Sequence, residues 1–316
     1  MKEATSLAAP PRPLASVPWR VYAQLVRLPN VFTALADIGL GTLVIRSRGI
    51  AEGTTLSAVW LFLASACLYS AGMVWNDYFD VEQDLRERPF RPIPSQRISR
   101  AAAARFGTVL MLLGVLAAGL AGWSSAGFRA APLGLAGLLI VCILFYDRWL
   151  KRTWAGPLGM GTCRFLNVLL GFSAASGMVT AGLWPALVVG LYIVGVTWFA
   201  RTEARQSNRP ALTGAAAVML AALMLALPLP APLPVGTASP LFPYLLVGLG
   251  FLVGIPVIRA IDRPVPTLVQ PAVKRAIMGL IVLDTVLATA LAGTAGLVLL
   301  MLLLPALYLG RWIYST

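Results

Sequence analysis

Five of the chain's twelve acids, Asp77, Asp80, Glu82, Asp84 and Glu87, fall between residues 77 and 87 of 316. On a helix that continues through this stretch, Asn76, Asp80 and Asp84 recur every four residues and line one face, with Asp77 beside them. Like charges at that spacing repel, so the face calls for a cation. Carboxylate oxygens suit a hard ion, and Mg²⁺ commonly bridges a few carboxylates to phosphate oxygens. The chemistry this points to is a Mg²⁺-bound diphosphate held on Asp77, Asp80 and Asp84. The plainer alternative is a solvated helix end with pairs to Arg86 and Arg88. The scarcity of acids elsewhere weighs against it.

Cations follow directly. The run Arg88-Pro89-Phe90-Arg91-Pro92-Ile93-Pro94 is a stiff loop, because its prolines cannot continue a helix. An arginine beside the acidic face can grip phosphate oxygens, and Arg91 is the candidate. Lys151, next to Arg152, is a second candidate, with snorkelling to the membrane surface as its alternative. The chain contains no histidine, which excludes His-based triads and His metal sites. Cys67, Cys142 and Cys163 lie in apolar stretches without metal or redox spacing and read as packing residues.

The elements that carry these residues are membrane helices. The chain is 59% hydrophobic and 12% charged, with a mean hydropathy of +0.81, and a soluble globule could not hide so much apolar surface. Apolar stretches at about 31–46, 56–76, 102–122, 131–146, 157–178, 184–201, 211–227, 241–259, 273–291 and 295–312 predict nine or ten spans. The fold class is therefore all-α, a polytopic helical bundle. Alternate loops collect the arginines and lysines, among them Arg97, Arg148, Arg201, Arg263 and Lys274. That asymmetry places these loops and the acidic patch in the cytoplasm, at the cell membrane. It also accounts for the net charge of +13 without nucleic acid. The Pro- and Ala-rich residues 1–20 read as a disordered cytoplasmic tail, and residues 21–316 as the membrane domain.

Asn76, Asp77, Asp80 and Asp84 match the first aspartate motif, NDxxDxxxD, of the UbiA superfamily of intramembrane prenyltransferases, which the chain resembles. Arg27-Leu28-Pro29-Asn30 resembles that family's entry motif, and Tyr146-Asp147-Arg148-Trp149-Leu150-Lys151 its Tyr…Lys motif. The stretch from Tyr146 to Asn167, with Gly156-Pro157-Leu158-Gly159 inside it, looks closer to one branch, the EboC-like proteins. The resemblance implies a helical bundle with a central cavity open to the cytoplasm. It implies a Mg²⁺-dependent transfer of an isoprenoid chain from a polyprenyl diphosphate to an acceptor, with release of diphosphate. It implies catalytic roles for Asp77, Asp80, Asp84 and Lys151, and diphosphate contacts for Asn30, Asn76, Arg91, Lys151, Arg164 and Asn167. For Arg164 and Asn167, interhelical hydrogen bonding is the alternative.

The chain departs from the family after its sixth span. Where a second aspartate motif is expected, Arg201 and Arg205 stand in the aspartate positions and Glu203 in the glutamate position. One expectation is charge replacement: Arg201 and Arg205 contact the diphosphate, Glu203 joins the metal ligands, and one Mg²⁺ binds; the plainer alternative is that both arginines merely mark a cytoplasmic loop. The competing expectation is a divergent membrane protein that binds or helps transport a lipid or prenylated precursor without transferring it.

Overall fold

A computed structural model describes residues 19–50, 55–124, 127–203, 206–231, 233–234 and 236–313. The expected tail lies outside them except for its last two residues. The chain runs through helices α1 (Trp19–Leu25), α2 (Leu28–Ser47), α3 (Thr55–Phe79), α4 (Val81–Glu87), α5 (Arg100–Gly122) and α6 (Ala130–Arg148). It continues through α7 (Gly156–Phe172), α8 (Leu183–Ala200), α9 (Arg209–Ala226), α10 (Phe242–Asp262), α11 (Pro266–Ala292) and α12 (Leu303–Trp312). The described strand structure is one small ribbon, Trp123–Ser124 against Gly127–Phe128, between α5 and α6.

Local sequence sets many helix starts. Proline stands in the first or second position of α2, α7, α9, α10 and α11, where its missing N–H costs nothing. Ser99 caps α5 by accepting from the Ala102 N–H at 3.1 Å. The outer helices show apolar side chains to lipid, including Leu112 and Leu116 of α5 and Phe251 and Ile258 of α10. The inner helices α2 and α11 instead bury most of their length.

Among the described residues, eight segments are long and apolar enough to cross a membrane. The difference from nine or ten has two causes. Helix α7 has only 17 residues, because the chain turns after it through Gly177 at φ 71°. The last counted segment, Pro266–Trp312, contains a reversal at Gly293 (φ 69°), followed by a 3-10 stretch, Gly293–Leu302, and α12.

The acidic helix does not continue as expected. It bends at Asp80 (φ −96°, ψ 6°), between α3 and α4. The four-residue rhythm survives, since the Asp80 N–H donates to Asn76 O at 3.0 Å and the Asp84 N–H to Asp80 O at 2.8 Å. The bend nonetheless splits the acidic face, sending Asp80 to a different cation from Asp77 and Asp84.

Helices α2 and α7 cross at backbone contact. A Cβ on Gly41 would lie 2.4 Å from the Gly171 carbonyl carbon, and one on Gly171 would lie 2.9 Å from Ile38 Cα. Small residues allow such approach in membranes. Gly41→Val is therefore expected to destabilise the bundle by about 1–3 kcal/mol, the cost of overpacking where backbone must move. Fluorescence-detected size exclusion after a heating series checks this. A melting profile equal to wild type would show that the crossing yields.

Candidate active site

Nine charged side chains form a ring of three separate ion-paired groups where α2, α3, α4, α6 and the loops after α4, α6 and α8 converge. Asp77 Oδ1 accepts from Arg27 and from Arg91, each at 3.2 Å. Arg91 also donates to Asp84 Oδ2 at 2.7 Å. Lys151 Nζ sits 2.7 Å from Asp80 Oδ2 and 4.0 Å from Asp147 Oδ1. Asn76 donates to the same Asp147 oxygen at 3.1 Å. Arg88 pairs with Glu203 at 3.0 Å. Asp77, Asp84, Arg91 and Asp147 are all buried.

The proline-rich loop turns Arg91 inward. Ile93 anchors the loop in a small core with Val21, Leu25, Val26, Val74 and Ile98. The Ser95 hydroxyl donates to Arg91 O at 2.6 Å, and Arg97 donates to Phe90 O at 2.6 Å. Arg27 is held in the left-handed region (φ 50°, ψ 53°) just before α2. A non-glycine residue occupies that region at a cost, and here the ion pair to Asp77 secures it.

The electrostatics follow from burial against pairing. Burial pushes the Asp84 carboxyl up from the usual carboxylate range, against the opposing pull of Arg91. Burial likewise raises Glu203, opposed by Arg88. Burial pulls Arg27 down most strongly, but Asp77, Tyr69 and Asp84 together outweigh it and leave the guanidinium above its ordinary value. Arg91 is lowered by burial and by its neighbour Arg27.

Beneath the charged ring lies a cavity of about 260 Å³. Arg27, Arg88, Arg91, Asp147 and Glu203 contribute to its polar lining, and Leu139, Ile143, Met160, Ile193, Val196 and Leu280 to its apolar lining. Asn30 lines it and hydrogen-bonds Tyr69.

Several expected site residues land elsewhere. Arg164 and Asn167 do line the cavity, but they bond to α2, not to the ring. Arg164 donates to Asp37 and Thr33, and Asn167 to Asp37 and the Ala34 carbonyl. Arg201 is exposed, is absent from the lining, and donates to the Thr153 carbonyl at 2.5 Å. The physical reason is that α8 stops at Ala200, so no helical face carries Arg201 towards the cavity. Arg205 lies outside the described residues. Asp77, Asp80, Asp84 and Glu203 are not preassembled as metal ligands: among the described residues no group of three or more such ligands converges. Each of these carboxylates is instead held by a cation. Their oxygens still fit Mg²⁺, which usually takes one or two carboxylates and completes its shell with substrate phosphate and water.

Three ring members escaped the sequence reading as individual site residues. Arg27 sat inside the entry motif, and its signal was Pro29, which forces a helix start beside it. Asp147 stood four residues before Lys151, the spacing of a helical ion pair. Arg88 read as an ordinary loop cation.

The pattern of the UbiA prenyltransferase family matches residues 35–276. Digeranylgeranylglyceryl phosphate synthase of Hyperthermus butylicus is 31% identical over 174 residues, 52% of this chain and 50% of that one. Protoheme IX farnesyltransferase of Caulobacter vibrioides is 30% identical over 173 residues, 54% of this chain and 50% of that one. The chain thus spans about half the length of the curated relatives it matches. Among solved structures, the apo UbiA homolog from Aeropyrum pernix K1 superposes with a TM-score of 0.61 at 19% identity, covering 86% of this chain and 98% of that one. The UbiA homolog from Archaeoglobus fulgidus bound to GPP and Mg²⁺ gives 0.54 at 13% identity, covering 82% and 99%. At such identity these two likenesses speak for the fold alone.

Proposed function

This chain belongs to the UbiA prenyltransferase family, and we propose that it transfers an isoprenoid chain from a polyprenyl diphosphate to an acceptor within the membrane, in a Mg²⁺-dependent reaction. One observation carries the reading: a ring of ion-paired carboxylates and cations, whose Arg27, Arg88, Arg91, Asp147 and Glu203 line the cavity, sits at one end of an apolar pocket. With Mg²⁺ bound, the carboxylates would turn from arginine to the ion and the guanidinium groups to phosphate oxygens, so no buried charge would go unpaired.

On this reading Asp77, Asp80 and Asp84 would hold Mg²⁺, whose charge would stabilise the leaving diphosphate. Arg27, Arg88, Arg91 and Lys151 take phosphate oxygens as charge builds on them. Asn30 and Asn76 add neutral hydrogen bonds at the same level. Glu203 keeps Arg88 in place. The apolar wall holds the isoprenoid tail and excludes water from the allylic carbon. That carbon's bond to diphosphate oxygen breaks, its bond to the acceptor forms, and the released diphosphate takes up the acceptor's proton.

Glu203 pairs with Arg88 and joins no cluster of carboxylates among the described residues, so we assign one Mg²⁺ here, with Arg88 supplying the balancing charge in place of Arg201. The charged mouth lies on the side of the arginine-rich loops, which makes it cytoplasmic at the cell membrane. Counting α7 and the two passes around Gly293 brings the eight apolar segments to ten. The likeness of residues 146–167 to the EboC-like branch belongs to this reading.

The test uses the purified chain in lipid nanodiscs with labelled geranylgeranyl diphosphate. Retention of the label is expected to require Mg²⁺ and to vanish in chelator, with one metal per bound diphosphate analogue. Equal retention in chelator would overturn the site, and two well-occupied metals would overturn the single-ion assignment. Mg²⁺-dependent binding without diphosphate release, across aromatic and glycerol acceptors, would favour a lipid-binding or transport role over transfer.

A further inference from the structure

Three charged side chains meet inside the bundle, below the ring. Arg164 of α7 donates to Asp37 Oδ2 of α2 at 3.0 Å and to Thr33 Oγ1 at 2.6 Å, with its guanidinium 5.3 Å from the Tyr69 ring centroid. Asn167 donates to the same Asp37 oxygen at 2.8 Å and to Ala34 O at 3.0 Å. It also accepts from Ser65 at 2.8 Å. Asp284 of α11 reaches Asp37, and both aspartates are fully buried. Thr33 stands six residues beyond Arg27 on the α2 side, so the cluster lies roughly 9 Å below the ring at 1.5 Å per residue.

Arg164 and Asn167 line the cavity, while Asp37 and Asp284 stand behind them. Asn167 has both amide hydrogens engaged. Arg164 uses two of its five N–H donors on Asp37 and Thr33. The donor this wall can offer a ligand is therefore Arg164.

Its charge is already balanced. Asp37 supplies the opposite charge at 3.0 Å, and Asp284, fully buried behind the pair, has no hydrogen-bond partner for either carboxyl oxygen among the described residues. The wall therefore carries no surplus positive charge. A hydroxyl or carbonyl oxygen meets such a wall without penalty. An anion would add an uncompensated charge in a low-dielectric pocket.

We propose that Arg164 is the acceptor-binding residue and that the acceptor presents an uncharged oxygen, a hydroxyl or a carbonyl, to it. This rests on the prenyl-transfer reading and deepens it. The diphosphate occupies the ring, and the acceptor's polar end sits one level down, beside the first carbons of the isoprenoid chain.

The test measures binding to the full chain in nanodiscs with matched probes: hydroquinone, naphthohydroquinone and a glycerol monoether, each with and without a carboxylate or phosphate. At least one neutral probe is expected to bind tenfold or more tightly than its anionic twin. Arg164→Gln should weaken that binding at least tenfold and leave the Kd of Mg²⁺-geranylgeranyl diphosphate within twofold. Asp37→Asn combined with Asp284→Asn, which leaves Arg164 uncompensated, should turn the preference towards the anionic twin, a reversal that mere loosening of the bundle would not produce. This second variant serves equally if Arg164→Gln fails to fold. Equal or tighter binding of the anions by the native chain, no binding of any probe, or a weakened diphosphate Kd in Arg164→Gln would each overturn the assignment. Failure of geranylgeranyl diphosphate to bind the native chain would instead strike the ring above, since the acceptor preference is measured without it.

Discussion

Asp80→Ala is expected to lower prenyl transfer by at least about 100-fold, the scale of losing one preorganised electrostatic contact to a transition state, while the protein stays folded. The fold survives because Lys151, the partner of Asp80 at 2.7 Å, keeps Asp147 within 4.0 Å. Asp147 in turn is fixed by Asn76 at 3.1 Å. No buried cation is stranded, so the loss falls on metal binding and on the departing diphosphate. The assay is release of labelled diphosphate at increasing Mg²⁺, beside a size-exclusion profile for folding. Two signatures identify the role. The Mg²⁺ requirement should rise, and the rate should remain low even when Mg²⁺ saturates, because a transition-state contact is gone. An Asp80→Ala protein with native Mg²⁺ dependence would remove Asp80 from the metal site.

The sequence makes the ring's acids visible and its geometry invisible, for physical reasons. In a chain with twelve acids, five within eleven residues stand out against any solvated-surface explanation. Arg91 is legible because the prolines around it forbid a helix and leave a rigid loop to aim it. The bend at Asp80 has no such mark, since neither proline nor glycine stands there. It became evident only once Asp80 was seen turned to Lys151 while Asp77 and Asp84 share Arg91. Arg164 and Asn167 read as diphosphate ligands because polar groups in a span face the interior. Their depth depends on the approach of Gly41 to Gly171, a contact between distant segments that no local pattern encodes. Arg201 failed for a local reason, since pairing it with Arg205 on one face presumes a helix that ends at Ala200. Hydropathy divided the last two stretches, 273–291 and 295–312, where the backbone reverses at Gly293.

Arg91→Met is expected to cost the fold about 3–5 kcal/mol, the scale of removing one partner from a buried ion pair. The side chains of Arg91, Asp77 and Asp84 are only 7%, 3% and 4% exposed. Without Arg91, Asp84 loses its bond at 2.7 Å, and Asp77 keeps only Arg27. The two carboxylates then repel across a site that water scarcely reaches. Arg91→Lys should recover only part of the loss, because one ammonium on a flexible stem does not fix two carboxylates as a planar guanidinium does. If these acids are the seat of the metal, saturating Mg²⁺ should restore much of the lost thermal stability in Arg91→Met, because the ion supplies the missing charge. The native chain, already neutralised by arginine, should gain less. Unfolding with and without Mg²⁺ reads this directly, and an Asp84→Asn, Arg91→Met double variant completes the cycle. The double variant should be more stable than Arg91→Met alone and should lose the Mg²⁺ rescue. A rescue that persists in the double variant would place the ion elsewhere in the ring, and no rescue in either would separate the acidic patch from metal binding altogether.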